Sequence, residues 1–145
     1  HYLFNIDRSR YNIDKIMNGE FFEIKGALKT RKSMSHTEAM KFFARRGISE
    51  VLGIPLGQRF NCVFHNDERE MSLVIFKDSK EKYYCLDDAC VSGEKRLGLD
   101  IYDLLYILLD IQEEPDKLRL AMKYLANLYN VELNKTIAEE YQVVA

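Results

Sequence analysis

Cys62-Val63-Phe64-His65 and Cys85-Leu86-Asp87-Asp88-Ala89-Cys90 bracket nineteen residues that alternate like a β-hairpin. No other feature limits the possible folds so strongly. Two side chains three positions apart at the end of a strand can reach one ion from a tight knuckle, and a hairpin returns a second pair beside the first. Cys62, His65, Cys85 and Cys90 then complete a tetrahedral set of thiolate and imidazole donors, which suits one structural Zn²⁺ and leaves no position open for a catalytic water. All three cysteines of the chain are used in this way. The competing reading is three cysteines packed as small apolar residues, with a histidine on the surface. It requires every cysteine to fall at a ribbon position by chance. The second pair leaves one alternative open: Asp88 stands at the more usual two-residue spacing from Cys85, and a Cys-His-Cys-Asp set is also chemically competent.

Around these residues the pattern predicts strands over Arg59 to Val63, Met71 to Lys77 and Glu81 to Leu86, with Asp78-Ser79-Lys80 as the hairpin loop. Met71 to Lys77 is apolar on both faces, as a central strand would be. A polar loop is expected from Val91 to Gly98. Helices are expected elsewhere. Ser35-His36-Thr37-Glu38 has capping-box form and opens a helix over 35–46, with Ala39, Phe42 and Phe43 inward and Gly47 as its stop. Ser49 to Leu52 reads as a separate short turn. His36 is expected on the surface, not as a fifth ligand. Asp100 caps a deeply buried run from Ile101 to Ile111, Pro115 opens a helix carrying Leu118, Ala121, Met122, Leu125 and Leu128, and Thr136-Ile137-Ala138-Glu139 opens a last short one. Residues 1–34 are harder to read: Asn12 to Met17 fits a short helix and Phe21 to Lys25 a strand. The expected class is α+β, a zinc ribbon flanked by helices on both sides in sequence. The expected divisions are an extension at 1–47, a zinc-binding domain at 48–131 and a short helix or tail at 132–145.

Charge is unevenly spread although the net value is only −2. Residues 1–60 carry eleven lysines and arginines against six carboxylates, whereas 97–145 carry four against nine. A phosphate backbone would prefer the first half, where Arg45 and Arg46 are candidate contacts; a merely solubilising helix face is the bland alternative. The metal cluster itself would be net negative, so any nucleic acid must be held by the surface around it. The hairpin supplies Lys77, Lys80 and Lys82 with Phe76, Tyr83 and Tyr84, the mix of cations and flat rings that holds single strands. Tyr83 shares a face with Cys85 and is expected to pack on the metal knuckle, with Phe76 in the core. Tyr84 and Lys82 share the other face and are the better contacts.

Ile101 to Ile111 is too short and too often interrupted by acids to cross a membrane. An odd cysteine count argues against a secreted disulfide framework, and with no secretory leader at the start the expectation is a cytoplasmic protein. The opening residue, His1, suggests either an added remnant or a start inside a longer protein. No Cys-x-x-Cys pair is present for thiol redox chemistry.

The stretch from Ile48 to Val131 resembles the N-terminal Cys-His-Cys-Cys zinc-binding domain of bacterial and phage DNA primases. Cys62-Val63-Phe64-His65-Asn66 is similar to that family's Cys-Pro-Phe-His-Asn, and Tyr83-Tyr84-Cys85 to its aromatic before the third ligand. Gly98-Leu99-Asp100-Ile101-Tyr102-Asp103-Leu104-Leu105 and Leu120-Ala121-Met122-Lys123-Tyr124-Leu125-Ala126 look like its two following helices. Departures are Val63 in place of proline and the wider gap from Cys85 to Cys90. The resemblance implies recognition of single-stranded template DNA for primer synthesis, with the polymerising chemistry in a separate primase catalytic domain. The chain would then not be an enzyme, and no Glu with a spaced Asp-x-Asp for Mg²⁺ is evident in it. A replication adaptor that docks a helicase or polymerase partner through its acidic helical part is the competing function.

Overall fold

The computed structural model describes residues 2–62, 64, 72–86, 98–111 and 116–134. In chain order these form α1 (Tyr2–Met17), β1 (Lys32–Met34), α2 (His36–Leu52), β2 (Arg59–Phe60), β3 (Leu73–Lys77), β4 (Glu81–Cys85), α3 (Ile101–Leu108), α4 (Lys117–Tyr129) and β5 (Val131–Leu133). The class is α+β. All but the last residue of the loop expected over 91–98, together with Pro115 and the segment from Thr136 to Glu139, lies outside the described residues.

α1 is longer than the expected Asn12 to Met17, and its burial pattern explains the shortfall. Among the side chains of α1 that are described, Ser9, Asn12, Ile13 and Ile16 are buried at helical spacing, so two of these four are polar and hydropathy alone does not reveal the stripe. Asn12 Nδ2 donates to the Val51 carbonyl at 2.9 Å, which ties α1 to the end of α2. The helix stops at Gly19, whose φ of +71° supplies the left-handed residue of the cap. Phe21 to Lys25 is not a strand. It runs over α4, where the Tyr124 hydroxyl donates to the Glu20 carbonyl at 2.6 Å and the Phe21 ring lies 5.2 Å from the Tyr124 ring.

α2 starts as expected, with the Ser35 hydroxyl accepting from the Glu38 amide at 3.1 Å. It does not stop at Gly47. The helix continues through Ser49 to Leu52, and Gly53, at φ +72°, ends it. His36 is buried at 6 % exposure, contrary to the surface position expected of it. Residue 36 is the first of α2 and follows the buried Met34 by two, so the turn from β1 into the helix carries it inward.

Sequence reading missed β1 and β5, a parallel pair in which Ser33 lies opposite Glu132. Three-residue strands so far apart in the chain leave no local signature. The pair nevertheless brings the segment before α2 against the end of α4, and Ile13, Ile24, Met34 and Phe43 share one hydrophobic core with Leu73, Leu104 and Leu125. Phe43 and Tyr129 are fully buried, with ring centroids 5.4 Å apart. Burying a side chain of that size is worth about 1.5–3 kcal/mol.

The second sheet is antiparallel in the order β2-β3-β4, so β3 is central as expected. Leu99 closes the far edge of β4: its N–H and C=O exchange hydrogen bonds with Tyr83 at 2.8 and 2.7 Å. Gly98 at φ +86° permits that approach, since a Cβ there would lie 3.2 Å from the Tyr83 carbonyl oxygen. Directly beyond, Asp100 caps α3 in a reciprocal box with Asp103. α3 ends at Leu108, before the expected Ile111, because Asp110 takes φ +54° and the Ile111 amide turns back to the Tyr106 carbonyl.

Candidate metal and nucleic-acid site

Strand register sorts the residues of the β2-β3-β4 sheet onto two faces. Phe60, Leu73 and Cys85 align across the three strands, as do Ile75 and Tyr83, and all are buried. This is the inner face. Glu81, on the same face, reaches α2, where its carboxylate accepts from the Ser49 amide at 2.9 Å and from the Ser49 hydroxyl at 2.7 and 2.6 Å. Arg59, Val74 and Tyr84 align in the opposite parity, with Phe76 beside Lys82 in the next row. These side chains form the outer face.

Cys62 and Cys85 both belong to the inner side and are almost fully buried, at 2 % and 4 % exposure. The Cys62 sulfur lies 3.0 Å from the Tyr83 hydroxyl, and the Phe64 ring meets the Tyr83 ring edge-on at 5.5 Å. Tyr83 therefore packs against Cys62 and Phe64, the two described residues of the segment expected to form the metal knuckle. Its side chain is two residues from Cys85 on one strand face, a separation of roughly 7 Å along the chain. The other expected donors, His65 and Cys90, and the alternative Asp88, lie outside the described residues. Among the described residues no group of three or more His, Cys, Asp or Glu could hold a metal ion. The two sulfurs present fit a zinc site in kind: both are soft donors at one end of one sheet, shielded from water. His36 Nδ1 is buried with no hydrogen-bond partner among the described residues.

The candidate nucleic-acid contacts divide into groups. Tyr84 and Lys82 lie on the outer face as expected, and Phe76 joins them instead of entering the core, being 38 % exposed with its ring 6.3 Å from that of Tyr84. Strand alternation is the reason, because Phe76 has the parity of Val74 and not of Ile75. Arg59, exposed at the edge of the same face, was not singled out from sequence; its register with Val74 and Tyr84 is the signal that finds it. Lys77 is exposed at the hairpin tip. Lys80 pairs with Asp100 at 3.2 Å, and Lys82 approaches Asp78 at 3.7 Å. Asp78 is held below the usual carboxylate range by the Lys80 amide that donates to it, with the Lys82 charge adding to the effect. Arg45 and Arg46 are exposed on α2, with the Arg46 guanidinium 4.1 Å above the Phe42 ring. Since α2 packs through Ser49 on the inner side, the sheet stands between these arginines and the outer-face rings.

Among the described residues no helix is long and apolar enough to cross a membrane. Comparison with known protein families, with curated proteins and with solved structures finds no match for this chain.

Proposed function

We propose that this chain is a zinc-stabilised nucleic-acid-binding module of a DNA primase-like replication protein, engaging single-stranded template DNA and lacking a catalytic centre of its own. One observation carries the reading: a single small sheet has buried thiols on one face and Arg59, Phe76, Lys82 and Tyr84 on the other. Cations beside flat rings suit a single strand, because every base offers a π-face for stacking and every phosphate a charge. One zinc held by Cys62, His65, Cys85 and Cys90 would keep this small sheet folded. The resemblance to primase zinc-binding domains supplies the biological setting, including a primase catalytic domain or helicase as partner. The adaptor reading would draw on the carboxylates around α3, Asp100, Asp103 and Asp110, because α4 carries Lys117, Arg119 and Lys123 and no carboxylate.

Fluorescence anisotropy of the zinc-loaded chain with single-stranded oligonucleotides, across a salt series, tests the proposal. Binding that weakens as salt rises, and weakens further in Tyr84→Ala, is the expected result. Affinity no tighter than millimolar at low salt removes it.

A further inference from the structure

We infer that the Tyr83 hydroxyl donates a hydrogen bond to the metal-bound Cys62 thiolate and so positions that ligand, an inference that rests on the zinc reading of the site. The two atoms are 3.0 Å apart, and their residues are 0 % and 2 % exposed. As geometry alone, either partner could be the donor. Metal binding decides the direction. A zinc-bound cysteine has lost its proton, so only the phenol can donate.

Tyr83 is well placed for this role. Its backbone is bonded to Leu99 on one side, Ile75 stands opposite on β3, and Phe64 packs on its ring. The hydroxyl therefore meets the sulfur from a fixed direction. A buried hydroxyl without a partner is costly, and the contact with the sulfur gives the phenol one. For the metal, Cys62 and Cys85 are shielded from water, and the proposed set of three thiolates and one imidazole would carry excess negative charge. A donor to one sulfur draws off part of it and lowers that sulfur's reactivity. Groups that orient a ligand in this way commonly change metal affinity by about 10–100-fold when removed.

Tyr83→Phe removes one oxygen and keeps the ring. In the full chain, chelator competition should show zinc affinity about tenfold to a hundredfold weaker than in the parent. With cobalt in place of zinc, the sulfur-to-metal charge-transfer band should move to lower energy, a change that a purely packing role would not produce. A parent chain that holds one zinc, with a variant of unchanged affinity and unchanged cobalt band, overturns this inference alone. A parent chain that holds no zinc overturns both it and the zinc reading. If Tyr83→Phe fails to fold, the parent loaded with an NMR-active cadmium isotope replaces it. A slowly exchanging Tyr83 hydroxyl proton coupled to cadmium supports the hydrogen bond, and its absence overturns it.

Discussion

Gly47, in the middle of α2, lies flush against Ile101 at the start of α3: a Cβ on Gly47 would fall 2.8 Å from Ile101 Cγ1 and 3.1 Å from Ile101 Cβ. Alanine there would gain up to about 1 kcal/mol of helix propensity. Overpacking costs about 1–3 kcal/mol, and the crowded atoms sit at the branch point of Ile101, which cannot swing aside as a side-chain tip can. Crowding should win. Gly47→Ala is expected to lose about 1–2 kcal/mol in denaturant unfolding, and to lose less when Ile101→Ala is already present. A Gly47→Ala chain more stable than its parent would show that the two helices separate freely.

Ser49 gives Glu81 two kinds of donor, its amide and its hydroxyl, and Glu81 is only 1 % exposed. Removing the hydroxyl leaves a buried carboxylate short of partners. Ser49→Ala should therefore cost about 1.5–3 kcal/mol, visible as a lower melting temperature. An unchanged melt would mean that other donors hold this carboxylate.

Burial raises the phenols of Tyr102, Tyr124 and Tyr129 well above their ordinary value of 10.0, with nearby carboxylates adding to the shift in each case. The unfolded chain releases those protons near the ordinary value, and the folded chain does not. The phenols' contribution to stability is thus whole below that value and declines as pH rises above it. The expected outcome is a cooperative alkaline transition in which tyrosinate absorbance and loss of helical circular dichroism rise together. Tyrosinate appearing in full while the helices persist would contradict it.

For the outer face, rings and cations should separate in the salt dependence. Tyr84→Ala is expected to weaken single-strand binding by about 1–3 kcal/mol with little change in salt slope. Arg59→Ala and Lys82→Ala should each lower the slope by roughly one phosphate's share. Equal effects of all three on the slope would argue against stacking.

On the proposed zinc reading, Cys62→Ser and Cys85→Ser should each release the metal and unfold the β2-β3-β4 sheet, because metal-binding energy in so small a sheet is folding energy. Metal analysis with thermal melts checks both. Cys90→Ser distinguishes the fourth donor: loss of zinc assigns Cys90, while retained stoichiometry and melting assign Asp88.

Much of the architecture was written locally. The Ser35 cap, the Asp100 box and the three-residue loop from Asp78 to Lys80 are set by residues within a few positions of one another, and the structure has all three. Where local cues misled, a distant partner is responsible. Gly47 resembles a helix stop until Ile101 is placed against it, and the polar half of the α1 stripe makes sense only once Asn12 meets Val51. The thiols, their strand faces and the packing of Tyr83 near them were legible in the same way, whereas the 3.0 Å approach of the Tyr83 hydroxyl to the Cys62 sulfur was not.

By itself, the amino-acid order determined which segments become helices near their caps, where the hairpin turns and which side chains offer soft metal donors. Tertiary structure alone decided that His36 is buried, that β1 meets β5 and that Arg59 and Phe76 join Lys82 and Tyr84 on one surface. The physical reason is range. Capping and alternation act through hydrogen bonds and sterics between near neighbours, while burial and strand pairing depend on chain far away in sequence.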